Sequence, residues 1–132
     1  MLDNNTFMIK VTIKHAFQAA VSLRNYDGPC AQLHGHTYKV SATFSAIKTT
    51  NDMVIDFYEA KKWIEETVKP LDYSHINTVK PFDRINPTSE NICYWIYQTL
   101  QEKIPNSIAI QSVTLAENDT CHVTYEPDAK NQ

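Results

Sequence analysis

The sequence predicts an α+β domain: a four-stranded antiparallel sheet with two helices on one face. Three observations carry that prediction. Segments near both ends alternate apolar and polar residues with the period of two that a half-buried strand requires. Two central segments instead repeat apolar residues at helical spacing. At 132 residues, the chain is long enough for one hydrophobic core and too short for two.

The first strand starts at Phe7, where Phe7, Ile9, Val11 and Ile13 alternate with Met8, Lys10, Thr12 and Lys14. The same phase carries His15, Phe17, Ala19 and Val21 onto the apolar side. Ser22 to Leu33, with Asp27-Gly28-Pro29 inside it, reads as a loop. A second strand runs from about His34 to Phe44, with Tyr38, Val40, Ala42 and Phe44 in phase with His34 and His36. Asp56, with Glu59 three residues on, has the spacing of a capping box. It opens a helix whose apolar stripe is Phe57, Ala60, Ile64, Val68 and Leu71, and Pro70 marks its end. Asn86-Pro87-Thr88-Ser89-Glu90 opens the second helix, with proline suited to the first turn. Its stripe is Ile92, Trp95, Ile96, Leu100 and Ile104, Cys93 is a packing residue, and Pro105 stops it. Gln111 to Glu117 and Thr120 to Glu126 form the last two strands, joined by a tight turn at Asn118-Asp119.

Composition excludes several classes. Hydrophobic residues make up 42% and charged residues 20%, as in ordinary soluble globular domains. A net charge of −3 offers no basic footprint, which argues against nucleic acid as a partner. No apolar run approaches a membrane span, and Met1-Leu2-Asp3-Asn4-Asn5 has no signal-peptide pattern. Three cysteines, Cys30, Cys93 and Cys121, are an odd number at unrelated spacings. They argue against a disulfide framework and for a reducing, cytoplasmic setting. With two glycines in the chain, no phosphate-cradling glycine loop is present.

Chemistry concentrates in Cys30-Ala-Gln-Leu33-His34-Gly-His36-Thr-Tyr38. Alternate residues of a strand share a face, so His34 and His36 point the same way, close enough to hold one metal ion. A thiol beside two imidazoles suits a metal-assisted reaction with a cysteine as acid/base or nucleophile. Taken alone, the same residues are equally a reduced core cysteine and two histidines that fall in phase. Imidazoles on the apolar side of a strand do need partners for their ring nitrogens, and a metal would supply one.

Further motifs follow in a fixed order: Phe17-Gln-Ala19-Ala20, Cys30-x-x-Leu33-His34-Gly-His36-x-Tyr38, Met53-Val-Ile-Asp56-Phe57, Leu71-Asp72 with Ile76-Asn77, Asn86-Pro-Thr-Ser-Glu90-Asn91, and a late Glu117. The ordered set resembles the 6-pyruvoyl tetrahydropterin synthase / 6-carboxytetrahydropterin synthase family over nearly the whole chain. The resemblance implies the tunnelling fold, in which sheets from three subunits join into a barrel, giving a homotrimer or a homohexamer. Such assembly would also cover open sheet edges. It implies 7,8-dihydroneopterin triphosphate as substrate. One branch eliminates triphosphate to a 6-pyruvoyl product. The other, on the route to queuosine and related 7-deazapurines, releases acetaldehyde and triphosphate to leave 6-carboxytetrahydropterin, and this lyase activity is the one expected here. A catalytically degenerate pterin-binding relative is the non-enzymatic alternative. By position, Cys30 would be the proton-abstracting thiolate, Asp72 part of its acid/base network, and Glu117 the carboxylate that accepts paired N–H bonds from the pterin ring.

The resemblance also implies a zinc ion held by His34, His36 and a third histidine. The third position is Val21, which has no donor atom, so zinc binding is expected to be weak or absent. His15 is in phase with Val21 but roughly 20 Å away along a strand and is expected to pack. A second departure is Leu71-Asp72-Tyr73-Ser74-His75, where Tyr73 stands in the place of the family's relay histidine and His75 follows two residues later. His75 is the candidate replacement, since an offset of two in a loop can still reach a site. Tyr73 is a poor base at neutral pH, with an ordinary phenol pKa near 10. His122 is expected to be exposed. Lys14, Arg24 and Lys39 are the cations available for a triphosphate.

Overall fold

A computed structural model describes residues 8–46 and 48–128. The elements are β1 (Val11–Val21), β2 (His34–Ala46), α1 (Phe57–Val68), β3 (Ser74–His75), α2 (Ser89–Gln101), β4 (Ile108–Ala116) and β5 (His122–Tyr125). Phe7 lies outside the described residues, and the first strand begins at Val11. The class is α+β as expected, but the sheet has five strands rather than four, in the order β3-β1-β2-β4-β5. The additional strand, β3, is two residues long and pairs in parallel with Ala19 and Ala20 of β1. Two residues leave no periodic trace in a sequence, which is why the pattern did not announce it.

β1 and β2 pair along their length, from Val11 opposite Phe44 to Val21 opposite His34. Residues opposite one another share a face, so the alternation of the two strands adds up to one apolar surface. Ile13, Phe17, Ala19 and Val21 from β1 are buried there beside Tyr38, Val40, Ala42 and Phe44 from β2. Phe17 and Tyr38 stack with ring centroids 5.0 Å apart, worth about 0.5–1.5 kcal/mol beyond the burial itself. Between β2 and β4 the register shifts at Thr43/Phe44, leaving Gln111 as an extra residue. This bulge lets Ile110 and Val113 both face the core, and the Gln111 side chain donates to Ser45 Oγ at 2.6 Å.

Both helices cover the apolar face, α1 against β1, α2 against β4 and β5. Asp56 caps α1 by accepting from the Tyr58 N–H at 2.8 Å, as the spacing predicted. Thr88 caps α2 through the Asn91 N–H at 3.2 Å, so Pro87 precedes the cap instead of filling the first turn. Ala60, Ile64, Val68 and Leu71 are buried, but Phe57, at the first position of α1, is 57% exposed. Cys93 is buried and its thiol donates to the Val113 carbonyl at 3.2 Å. The last two strands are joined by a longer turn than expected. Asn118 Oδ1 accepts from the Thr120 and Cys121 N–H groups at 2.8 and 3.0 Å, an Asx turn spanning the corner.

The other face of the sheet is polar. Hydroxyls bridge its strands at Thr12–Thr43 (2.8 Å) and Thr114–Thr124 (2.9 Å). The loop carrying Cys30 is anchored by two asparagines that imitate paired backbone. Asn77 exchanges two bonds with the Ser22 main chain, and Asn86 exchanges two with that of Arg24.

Candidate functional site

The site lies where β1 ends and β2 begins. Val21 is paired with His34 and Ala19 with His36, so the two imidazoles and the valine lie on the same face. The rings of His34 and His36 meet edge to face at 4.8 Å, and His36 meets Tyr38 at 5.3 Å. His34 Nδ1 lies 2.7 Å from the Gln32 carbonyl. A carbonyl can only accept, so Nδ1 is the donor in this bond and Nε2 takes no part in it.

Glu117 reaches the same place from the end of β4. Its Oε2 is 4.0 Å from His36 Nε2, and its Oε1 accepts a hydrogen bond from the Ser89 hydroxyl at the start of α2. Burial holds His36 below the ordinary imidazole value, with Glu117 opposing that effect and His34 adding to it. Tyr38 is 1% exposed. Burial pushes its phenol far above the ordinary value, and the charges of Glu117 and Cys30 push it further. The phenol therefore stays protonated and lies within electrostatic reach of both the thiol and the carboxylate. Cys30 itself is half-buried and free. Thus His34, His36, Tyr38 and Glu117, drawn from one strand and a distant strand end, form one group, and Cys30 stands in the short turn that leads into that strand. A small cavity of about 150 Å³ opens beside Glu117, lined by Ser89, Glu90, Cys121, His122 and Val123.

A family model described as 6-pyruvoyl tetrahydropterin synthase matches residues 10–128. The chain belongs to the 6-pyruvoyl tetrahydropterin synthase family. Within this family it is similar to a Synechocystis sp. protein named 6-carboxy-5,6,7,8-tetrahydropterin synthase, at 33% identity over 117 residues, covering 83% of this chain and 87% of that one. It is also similar to a Pyrococcus furiosus protein named dihydroneopterin monophosphate aldolase, at 30% identity over 117 residues, covering 89% and 96%. The fold is that of Caenorhabditis elegans 6-pyruvoyl tetrahydropterin synthase, with a TM-score of 0.81 at 21% identity over 92% of this chain and 96% of that one.

Other candidates fall elsewhere. His75 is paired with Ala20, and neighbouring positions of a strand point to opposite faces. It therefore faces away from His34 and His36, and the chain does not bring it to Cys30. Its Nε2 is buried with no hydrogen-bond partner among the described residues. Asp72 accepts from the Gln18 N–H at 2.9 Å, and the Tyr73 N–H donates to the Gln18 carbonyl at 2.6 Å. The pair thus grips β1 on its side away from β2, and no contact joins Asp72 to Cys30 within the chain. Tyr73 holds φ at +56°, a left-handed conformation that is strained for an aromatic residue. Its side chain is 85% exposed and borders a cavity of about 450 Å³ with Gln18, His36 and Thr37.

Arg24 is a structural residue: its guanidinium donates to the carbonyls of Phe82 (2.7 Å), Ile85 (3.2 Å) and Asn77 (3.4 Å). Lys39 faces Asp119 at 3.4 Å. His15 is half-buried opposite Val40, and His122 is exposed.

Sequence reasoning missed Ser89 and Tyr38. The phase of β2 already placed Tyr38 beside His36. Ser89 gave no signal beyond its place in a helix-start motif. The zinc ion that the resemblance implies does not fit the residues present. Val21, buried at 2% exposure, adds no donor to the two imidazoles. Among the described residues no three His, Cys, Asp or Glu side chains are placed to hold a metal ion.

Proposed function

We propose that the chain is a lyase of the 6-carboxy-5,6,7,8-tetrahydropterin synthase type, acting on 7,8-dihydroneopterin triphosphate on the route to queuosine and related 7-deazapurines. The observation that carries this reading is the meeting of Glu117 with His36 at 4.0 Å, beside Tyr38 and on the strand that follows the Cys30 turn. A carboxylate that can accept two parallel N–H bonds suits the edge of a pterin ring. The Ser89 hydroxyl, donating to one Glu117 oxygen, fixes the direction in which the carboxylate points. Cys30, as thiolate, takes a proton from the substrate side chain, while Tyr38, held protonated, serves as a hydrogen-bond donor.

No step of this reading passes through zinc, because the donor set at position 21 is incomplete. Within one chain His75 lies on the opposite face of the sheet from His34 and His36, so like Asp72 it could enter only through assembly. Asp72 enters only through assembly. β1 is paired on its outer side at Ala19 and Ala20 alone among the described residues, so a second copy can pair along the rest of that edge. In a homotrimer or homohexamer, Asp72 and Tyr73, standing at that edge, would face a neighbouring subunit's thiol. The three free cysteines support a cytoplasmic setting, and no helix among the described residues is long and apolar enough to cross a membrane.

A second reading, aldol cleavage of a phosphorylated dihydroneopterin, is favoured by the Pyrococcus furiosus relative. Mass spectrometry of products from dihydroneopterin triphosphate separates the two. The first reading expects 6-carboxytetrahydropterin, acetaldehyde and triphosphate from the wild type, with kcat/KM at least about a hundredfold lower for Cys30→Ala. A hydroxymethyl pterin with the phosphates still on the released fragment would favour the second. Unaltered turnover by Cys30→Ala would remove the thiol from both.

A further inference from the structure

We infer that Val21 closes the metal position of this chain, so that the His34–His36 pair lacks the third donor a zinc ion needs. The inference deepens the lyase reading and takes from it only the expectation that a metal would be there. The pairing of β1 with β2 sets Val21 directly opposite His34, one pair along from Ala19 and His36. A ligand at position 21 would therefore stand on the same face as both imidazoles, about 5 Å from its cross-strand neighbour. Valine offers no lone pair there. It is 2% exposed, so it stands packed at the position the third ligand would take.

The remaining histidines do not stand in for it. His15 lies opposite Val40, six positions before Val21, His75 points to the other face with Ala20, and His122 stands on β5 opposite Ala116. Catalytic zinc sites use three protein ligands and an open position. Two imidazoles alone bind the ion weakly, and the contacts each ring makes with the protein orient it without adding a donor. The Gln32 carbonyl accepts from His34 Nδ1 at 2.7 Å, and the Glu117 carboxylate lies 4.0 Å from His36 Nε2. Position 21 is thus a single-residue switch between an imidazole pair and a metal centre. Either a histidine or a thiol there would supply the missing donor.

The test compares wild type, Val21→His and Val21→Cys after dialysis against a strong chelator. Zinc content is read by elemental analysis and affinity by competition with a chromophoric chelator. Cysteine is close to valine in size, so Val21→Cys preserves the fold even if histidine is too large for the position; circular dichroism identifies which variants are folded. The expected result is a wild type with far less than one zinc per chain, and folded variants that bind one zinc per chain at least about a hundredfold more tightly. That factor is a lower bound, since loss of an outer-shell partner alone costs roughly 10–100-fold. A wild type that keeps one zinc per chain through the chelator would overturn the inference, because the third ligand would then come from elsewhere. A folded variant with unchanged zinc affinity would overturn it too, because position 21 would not be the ligand position. Turnover on the same samples tests the lyase reading separately: loss of one result leaves the other standing.

Discussion

Glu117→Gln is the most discriminating single change in the proposed pocket. The carboxylate has one protein hydrogen bond, from Ser89, and a second oxygen directed toward His36. Gln keeps the shape and the bond from Ser89 but replaces the other acceptor with a donor. Two charge-assisted bonds to a pterin edge are worth about 1.5–3 kcal/mol each. Substitution would weaken one by loss of charge and turn the other into a clash of donors, an overall loss of about 3–4 kcal/mol. By the relation of 1.4 kcal/mol per factor of ten, KM for dihydroneopterin triphosphate rises by roughly 10²–10³. Stability should change by less than about 1 kcal/mol, since the side chain is 32% exposed and no core contact is lost. Steady-state kinetics with a thermal melt reads both numbers. A variant whose KM stays within about threefold of wild type while kcat collapses would refute the reasoning, because Glu117 would then act on the reacting atoms and not on the ring.

Three further outcomes are expected. Arg24→Ala should lower stability by about 2–4 kcal/mol, as three carbonyls lose a charged donor. Its KM for the triphosphate should stay within about twofold, and a large KM increase in a folded variant would make Arg24 a phosphate ligand after all. Cys30→Ser should cut kcat/KM nearly as far as Cys30→Ala, because a hydroxyl does not ionise at neutral pH; rapid-quench kinetics checks whether the chemical step is the one slowed. Burial pushes the Cys93 thiol up to about 11 from 9.0. Its folded form resists ionisation, so the associated stability is present below pH 9 and is lost as pH rises from 9 through 11, at most about 2–3 kcal/mol. Denaturant melts at pH 8, 9.5 and 10.5 should fall less steeply for Cys93→Val than for wild type.

Much of the molecule was legible because its strands and helices keep simple periods. The phase of Phe17, Ala19 and Val21 against Tyr38, Val40 and Ala42 was readable directly, and it placed position 21 on the imidazole face before any pairing was known. The cap at Asp56 lay where its side chain could accept an N–H bond, whereas the cap of the second helix, Thr88, fell one residue after the proline expected in its first turn. Other features escaped for physical reasons. β3 is held by backbone pairing of two residues and by single bonds from the Asp72 side chain and the Tyr73 N–H to Gln18, with no side-chain period to reveal it. That His75 stands on the other face of its own chain from His34 was not readable, because counting residues along a loop ignores which face of a strand they reach. Arg24, a plausible anion ligand as a bare cation, turned out to satisfy three carbonyls of a loop some 50–60 positions further on. The Ser89–Glu117 bond joins a helix start to a strand end 28 residues away, a distance no local motif records.

The extra residue at Gln111 decides more than the packing of Ile110 and Val113. A strand has only two sides, so one inserted position inverts the parity of everything after it. Counting on from Leu115 opposite Val40 and Ala116 opposite Lys39, the next step brings Glu117 level with Tyr38, on the imidazole side. Taking Gln111 into an uninterrupted ladder from Ile110 opposite Phe44 would instead bring Glu117 level with Thr37 and turn that acid toward the threonine-lined surface, leaving the chain able to pair its strands yet blind to its ligand.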